Sequence, residues 1–201
     1  SPIFKKNHVK TDDIMVARMR AAGAIIIGKT NTPEFGLGSH TFNPVHGATG
    51  NAYDATRSAG GSSGGAAVAL ATGMIRYADG SDMMGSLRNP AGWNNVYGMR
   101  PTWGLVPSEP LGDSFLHQLA TNGPMARCPK DLATLLSVQS GPDARQPHGL
   151  PTADFAKDMD AHGLKGAQIA WLGDWGLPFD DGIMDISERA VEDLRALGAD
   201  V

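Results

Sequence analysis

Apolar residues Ile14, Met15, Met19 and Ala22 recur at helical spacing behind Thr11 and Asp12 and ahead of Gly23. The spacing predicts an amphipathic helix over 12–22, with Thr11 or Asp12 as N-cap and Gly23 closing it. Ala24-Ile25-Ile26-Ile27 follows as a continuous apolar run, the pattern of a strand buried on both faces of a parallel sheet. Thr32-Pro33-Glu34 predicts a short helix opened by a proline at its first position. Residues 38–61 hold no period and read as a long ordered loop. The Ala-rich stretch 65–74 predicts a buried helix, 75–78 a strand, 79–86 a turn-rich loop, 89–94 a helix and 101–112 another loop.

Further along, Pro129 at the first helical position and Asp131 in the first turn introduce a helix with Leu132, Leu135, Leu136 and Val138, stopped at Gly141-Pro142. Residues 142–166 are polar and punctuated by Pro and Gly, and read as a linker or excursion. Residues 168–172 predict a strand. Ile183, Ile186, Ala190, Leu194 and Leu197 lie on one face of a helix ending at Gly198. Ala199-Asp200-Val201 looks like the start of one more strand. Helices alternating with buried strands place the chain in the α/β class.

Composition narrows the function. The 201 residues hold 26 glycines without a strict period, and a hydrophobic share of 41% fits a globular protein. The net charge of −4 comes from 17 basic and 21 acidic residues spread along the chain. No basic stripe exists to neutralise phosphates, which argues against direct nucleic-acid binding. Cys128 is the only cysteine, and no Cys/His cluster has metal-ligand spacing. No apolar run reaches about 18 residues and no signal-peptide core opens the chain, so the expectation is a cytoplasmic protein without a membrane partner.

Three motifs bear on chemistry. Residues 23–30 satisfy G-x-x-x-x-G-K-[ST], but a phosphate loop follows a strand and opens a helix, whereas here the middle positions are themselves strand-like. Residues 60–65, GGSSGG, fit the G-x-S-x-G elbow without the upstream buried strand that the elbow needs. A Gly/Ser tract is often a linker, but this one abuts an Ala-rich helix whose free N–H groups would face the serines, and reads as a structured turn. In residues 79–86, DGSDMMGS, a serine behind a glycine offers successive backbone N–H groups of the kind that form an oxyanion hole. None of the six histidines is tied by sequence to either serine.

In order and spacing, GKTNTPEFG at 28–36, RSAGGSSGGAAVALATG at 57–73, DGSDMMGSLRNPA at 79–91, GMRPTWGLVP at 98–107, GPMAR at 123–127 and DLATLL at 131–136 resemble the amidase signature family of serine amidohydrolases. The resemblance covers nearly the whole chain. It implies α/β/α layers around a mixed β-sheet, incomplete in this chain, and a partial amidase domain over 1–201 with its catalytic core loops at 57–107.

The resemblance makes Ser86 the acyl-forming nucleophile and Ser62 a proton-relaying serine on a cis peptide bond. It makes the backbone N–H groups of Met83, Met84, Gly85 and Ser86 the oxyanion hole, with Gly60, Gly61, Ser63, Asp82 and Arg88 as supports. It implies no metal and no cofactor, a small-molecule amide as substrate, and leaves a homo-oligomer open. The family's third catalytic group is a neutral lysine upstream of the region resembling SPIF, and Lys5, Lys6, Lys10 and Lys29 do not match its segment. Both ends of the chain look cut, so the lysine and a C-terminal part are expected to lie outside it and the chain alone to be inactive. Met84 stands where the family usually has glycine, adding a side chain beside the oxyanion hole. The implied activity is hydrolysis of a carboxylic amide; the alternative within the family is the glutamine-hydrolysing subunit of a transfer-RNA amidotransferase.

Overall fold

The computed structural model describes residues 1–110, 116–159 and 163–201. Its helices are α1 (Ile14–Ala21), α2 (Gly64–Ala71), α3 (Arg88–Trp93), α4 (Pro129–Gln139), α5 (Phe155–Asp158) and α6 (Ile183–Ala196). Its strands are β1 (Phe42–Asn43), β2 (Gly47–Ala48), β3 (Tyr77–Asp82), β4 (Tyr97–Gly98) and β5 (Thr121–Ala126). The chain forms two compact units, Ser1–Ala156 and Lys157–Val201. The division falls inside the polar 142–166 stretch.

In the first unit β1 and β2 form a small hairpin, and β5 lies between β3 and β4 in an antiparallel sheet. Ala66, Ala67 and Leu70 of α2 pack with Leu87, Ala91, Val96 and Met125 into one core. Met15 and Met19 of α1 pack with Leu135 and Leu136 of α4 and with Val106 into a second. The α/β class is thus observed. Among the described residues the sheets are antiparallel, and the one parallel contact is the bridge Gln168–Asp200 in the second unit, all that forms of the strands expected at 168–172 and from Ala199.

Several local expectations change. Asp13, not Thr11 or Asp12, caps α1: its carboxylate accepts from the Met15 N–H at 3.1 Å, while Asp12 pairs with Arg20 at 2.7 Å. Residues 24–27 form no strand, and Ile25 and Ile27 are 88% and 74% exposed. A strand patterned for two-sided burial needs neighbours at its edges, and among the described residues none pairs with this run. After Pro33 the chain makes only a 3-10 turn, Glu34–Gly36, with Phe35 in a left-handed conformation.

Residues 79–82, expected to be loop, extend β3, because each residue of β3 finds a partner on β5. β5 itself is not foreseen, since Asn122-Gly123-Pro124 has the composition of a turn. Pro124 is tolerated there for a definable reason. Its carbonyl accepts from the Met99 N–H at 3.2 Å and its ring nitrogen faces the same side, just past the end of β4 at Gly98, so the missing N–H costs a single bond at the end of that ladder.

The predicted helix near the C-terminus forms, but rotated. Val191 is buried and Met184, Ser187 and Leu194 are half-buried, whereas Ile183, Ile186 and Leu197 are exposed. This unit covers a single narrow stripe of α6, and Leu194 is the expected core position that shares it. The start of the polar 142–166 stretch is no free linker either. Arg145 pairs with Glu109 at 2.8 Å, Gln146 accepts from the Ser108 N–H at 2.8 Å, and the Leu150 N–H donates to the Gly104 carbonyl at 3.0 Å. Parts of two expected segments, 111–112 and 160–162, lie outside the described residues.

Arg18 on α1 ties the two helices of the second core together. Its guanidinium donates to the carbonyls of Gln139, Ser140, Gly141 and Pro142 at 2.6–3.2 Å, at the end of α4 where the backbone acceptors lack helical partners. Arg18→Ala is expected to lower stability by about 1–2 kcal/mol, the range for charge-assisted hydrogen bonds at a partly exposed site. Urea unfolding of the full-length protein measures it. A midpoint unchanged from wild type would show that water replaces the guanidinium without cost.

Candidate active site

The first serine loop runs into α2. Ser62 and Ser63 are both buried, at 4% and 5% exposure, and the Gly61–Ser62 peptide bond is cis. Gly61 is required by close approach, since a Cβ there would lie 2.7 Å from the His40 backbone nitrogen. Gly60 packs against Pro90, whose Cα would lie 3.0 Å from an added Cβ. Ser63 occupies the N-cap position of α2 but does not cap it with its side chain. Its hydroxyl instead accepts from the Ser81 N–H at 3.3 Å and lies 3.4 Å from the Ser81 carbonyl, fastening the helix start to β3.

The second serine loop leaves β3 at Asp82, whose side chain organises it. This fully buried carboxylate accepts from the N–H groups of Gly85 at 2.8 Å and Leu87 at 3.1 Å. Arg88 binds both of its oxygens, at 3.0 and 3.1 Å, and Arg100 reaches Oδ1 at 3.0 Å. Burial by itself pushes the Asp82 pKa up. The Arg88 hydrogen bonds, then the two N–H groups, then Arg100 outweigh it, and hold the carboxyl well below the usual carboxylate range. Gly85 turns the loop with φ +115°, where an added Cβ would lie 2.8 Å from the Asn89 amide nitrogen.

The two loops meet through one backbone hydrogen bond, from the Ser63 N–H to the Ser86 carbonyl at 3.2 Å. Ser62 and Ser86 are thereby brought to adjoining backbone positions, though far apart in sequence. Ser86 is half-buried, Met83 is 45% exposed and Met84 81%. Among the described residues the N–H groups of Met83, Met84 and Ser86 donate to no protein acceptor. The Gly85 N–H, expected as a fourth oxyanion donor, is already held by Asp82.

Arg100 is one residue that sequence reasoning misses. Besides Asp82 Oδ1 it binds the carbonyls of Asp82, Met83 and Leu119, so it ties the start of the loop to the segment that leads into β5. It lies within the GMRPTWG run, but nothing in its local sequence points to Asp82. His40 bonds to Ser58 at 2.7 Å rather than to either candidate serine. Lys5, Lys6, Lys10 and Lys29 are all exposed. No group of three or more His, Cys, Asp or Glu among the described residues is arranged to hold a metal ion.

The fold and the paired loops define an α/β protein in which two glycine-framed serines lie on adjoining loops. The profile of the Amidase family matches residues 1–201, and the chain belongs to that family. It is 40% identical over 198 residues to a glutamyl-tRNA(Gln) amidotransferase subunit of Alkaliphilus metalliredigens, covering 94% of this chain and 39% of that protein. It is 37% identical over 190 residues to an acylamidase of Rhodococcus erythropolis, covering 94% of this chain and 40% of that one. The solved structure of the corresponding glutamyl-tRNA(Gln) amidotransferase subunit from Thermotoga maritima superposes with a TM-score of 0.90 at 33% identity, over all of this chain and 44% of its own. The chain therefore spans about two fifths of the length of these relatives. No described helix is long and apolar enough to cross a membrane.

Proposed function

We propose that the protein of which these residues form a part of the amidase domain hydrolyses a small carboxylic amide. Ser86 Oγ attacks the carbonyl carbon, and the Ser86 proton passes through Ser62 to the neutral lysine that the family resemblance implies. The tetrahedral intermediate collapses as Ser62 returns a proton to the departing amine, and water then cleaves the acyl ester by the reverse relay. The N–H groups of Met83, Met84 and Ser86 stabilise the oxyanion. Gly85 supplies the turn, and Asp82, Arg88, Arg100 and Ser63 hold it in shape. The observation that supports this reading most directly is the Ser63–Ser86 backbone bond, which sets the two serine loops side by side.

The test is intact-protein mass spectrometry of the full-length protein after incubation with a fluorophosphonate. One adduct, mapped to Ser86, is the expected result. A folded protein that stays unlabelled would remove the serine-nucleophile reading.

A second reading, the glutamine-hydrolysing subunit of a transfer-RNA amidotransferase, is favoured by the 40% identity to the Alkaliphilus protein. Asn89 after Ser-Leu-Arg leans toward the simple amidase. Ammonia release from free glutamine, together with a copurifying partner protein, would decide for the amidotransferase.

A further inference from the structure

We propose that Thr41 is a positioning residue for Ser62, gripping the backbone on both sides of the Gly61–Ser62 peptide with one hydroxyl. The inference rests on the amidase reading above. Thr41 is 2% exposed and precedes β1, twenty-one positions away from Ser62. Its Oγ1 lies 2.8 Å from the Gly60 carbonyl and 3.3 Å from the Ser62 carbonyl, and accepts from the Gly64 N–H at 3.0 Å. A hydroxyl has one proton and two lone pairs. It therefore donates to one carbonyl at a time, Gly60 by the shorter distance, while accepting from the first turn of α2.

Thr41 is itself held rigidly. Its carbonyl accepts from the Thr49 N–H at 2.9 Å, next to the Phe42–Ala48 pair of the hairpin. A Cβ on Gly64 would collide with Thr41 Oγ1 and come within 2.9 Å of its Cβ, so the packing has no slack. The backbone bearing Ser62 is thus fixed from one side by Thr41 and from the other by the Ser63–Ser86 bond. Thr41 touches no reacting atom. It sets the direction in which Ser62 presents its hydroxyl, and it also takes over the helix capping that Ser63 leaves undone.

Losing that grip should matter most where Ser62 must hand a proton to the leaving group. An amine requires protonation to depart; a nitrophenolate does not. In the full-length protein Thr41→Val is expected to lower kcat for an aryl amide by about 10–100-fold, the scale of a small misalignment of a catalytic group. The KM should stay within about twofold, as for a group that acts only on the chemical step. Turnover of the matching nitrophenyl ester should fall less, and Thr41→Ser should restore most of the amide activity. A Thr41→Val enzyme equal to wild type overturns the inference. So does a loss equal on both substrates without rescue by serine. If Thr41→Val does not fold, the amide-to-ester ratio of Thr41→Ala against Thr41→Ser isolates the hydroxyl in the same way, and equal ratios overturn it. Ser86→Ala assayed in parallel separates the layers: an inert Ser86→Ala beside an unaffected Thr41→Val sinks this inference alone, whereas an active Ser86→Ala sinks the amidase reading as well.

Discussion

Ser86→Ala in the full-length protein is expected to lower amide turnover by on the order of 10⁴–10⁶-fold, the size seen when a serine hydrolase loses its nucleophile. Substrate affinity should stay within about threefold, because the N–H groups of Met83 and Met84 and the loop geometry do not depend on the Ser86 hydroxyl. The same variant should take no fluorophosphonate. The magnitude follows from covalent catalysis: without Oγ no acyl intermediate forms, and water must attack the amide directly with only binding and the oxyanion donors to assist it. Rates measured with a chromogenic anilide decide the matter. More than about a tenth of wild-type turnover would exclude Ser86 as nucleophile.

Asp82→Asn should cost about 3 kcal/mol of stability and most of the activity. The buried carboxylate is the common acceptor for Gly85, Leu87, Arg88 and Arg100. An amide of the same shape offers one acceptor where two are needed and turns an NH₂ toward donors, leaving buried N–H groups and two guanidinium groups short of partners. The cost stays at the lower end of the range for a broken buried pair because Arg88 is half-exposed and water can solvate it. Because the folded pKa of Asp82 lies below its ordinary value of 3.8, its contribution is complete at neutral pH and is lost as pH falls below about that value toward the folded one. The stability gap between wild type and Asp82→Asn should therefore be constant above about pH 5 and narrow below about pH 4. Urea midpoints across that range measure it, and a gap that widened on acidification would contradict a carboxylate held ionised by Arg88 and Arg100.

Local chemistry is legible wherever a residue acts on its own neighbours. Gly23 and Gly141 end α1 and α4 because each adopts positive φ, and Pro129 opens α4. The glycines around Ser62 and Ser86 announce tight turns, and the helix beginning at Gly64 follows from the Ala-rich run. Asp82 and Arg88 are marked as supports by the family resemblance alone, and their pairing at 3.0 Å across the loop between β3 and α3 is a finding of the structure.

What pairs at long range is not legible. β5 is hidden because Asn-Gly-Pro is a turn composition, and only the partners on either side make it a strand. The run 24–27 misleads in the other direction: its composition asks for a sheet interior, yet burial depends on neighbours that composition does not supply. Arg100 and Thr41 escape sequence reasoning for the same cause, since each acts on atoms about twenty positions away through contacts that the fold creates.

Residue order alone thus determines where the chain turns, which stretches wind into helices and which serines are set among glycines, because φ preference, capping and side-chain period are local properties. The tertiary structure decides which strands pair, which helix face is covered and which groups converge on Ser62 and Asp82. Those outcomes depend on hydrogen-bond partners and packed surfaces brought together from distant positions, whose energies exist only once the chain has closed on itself.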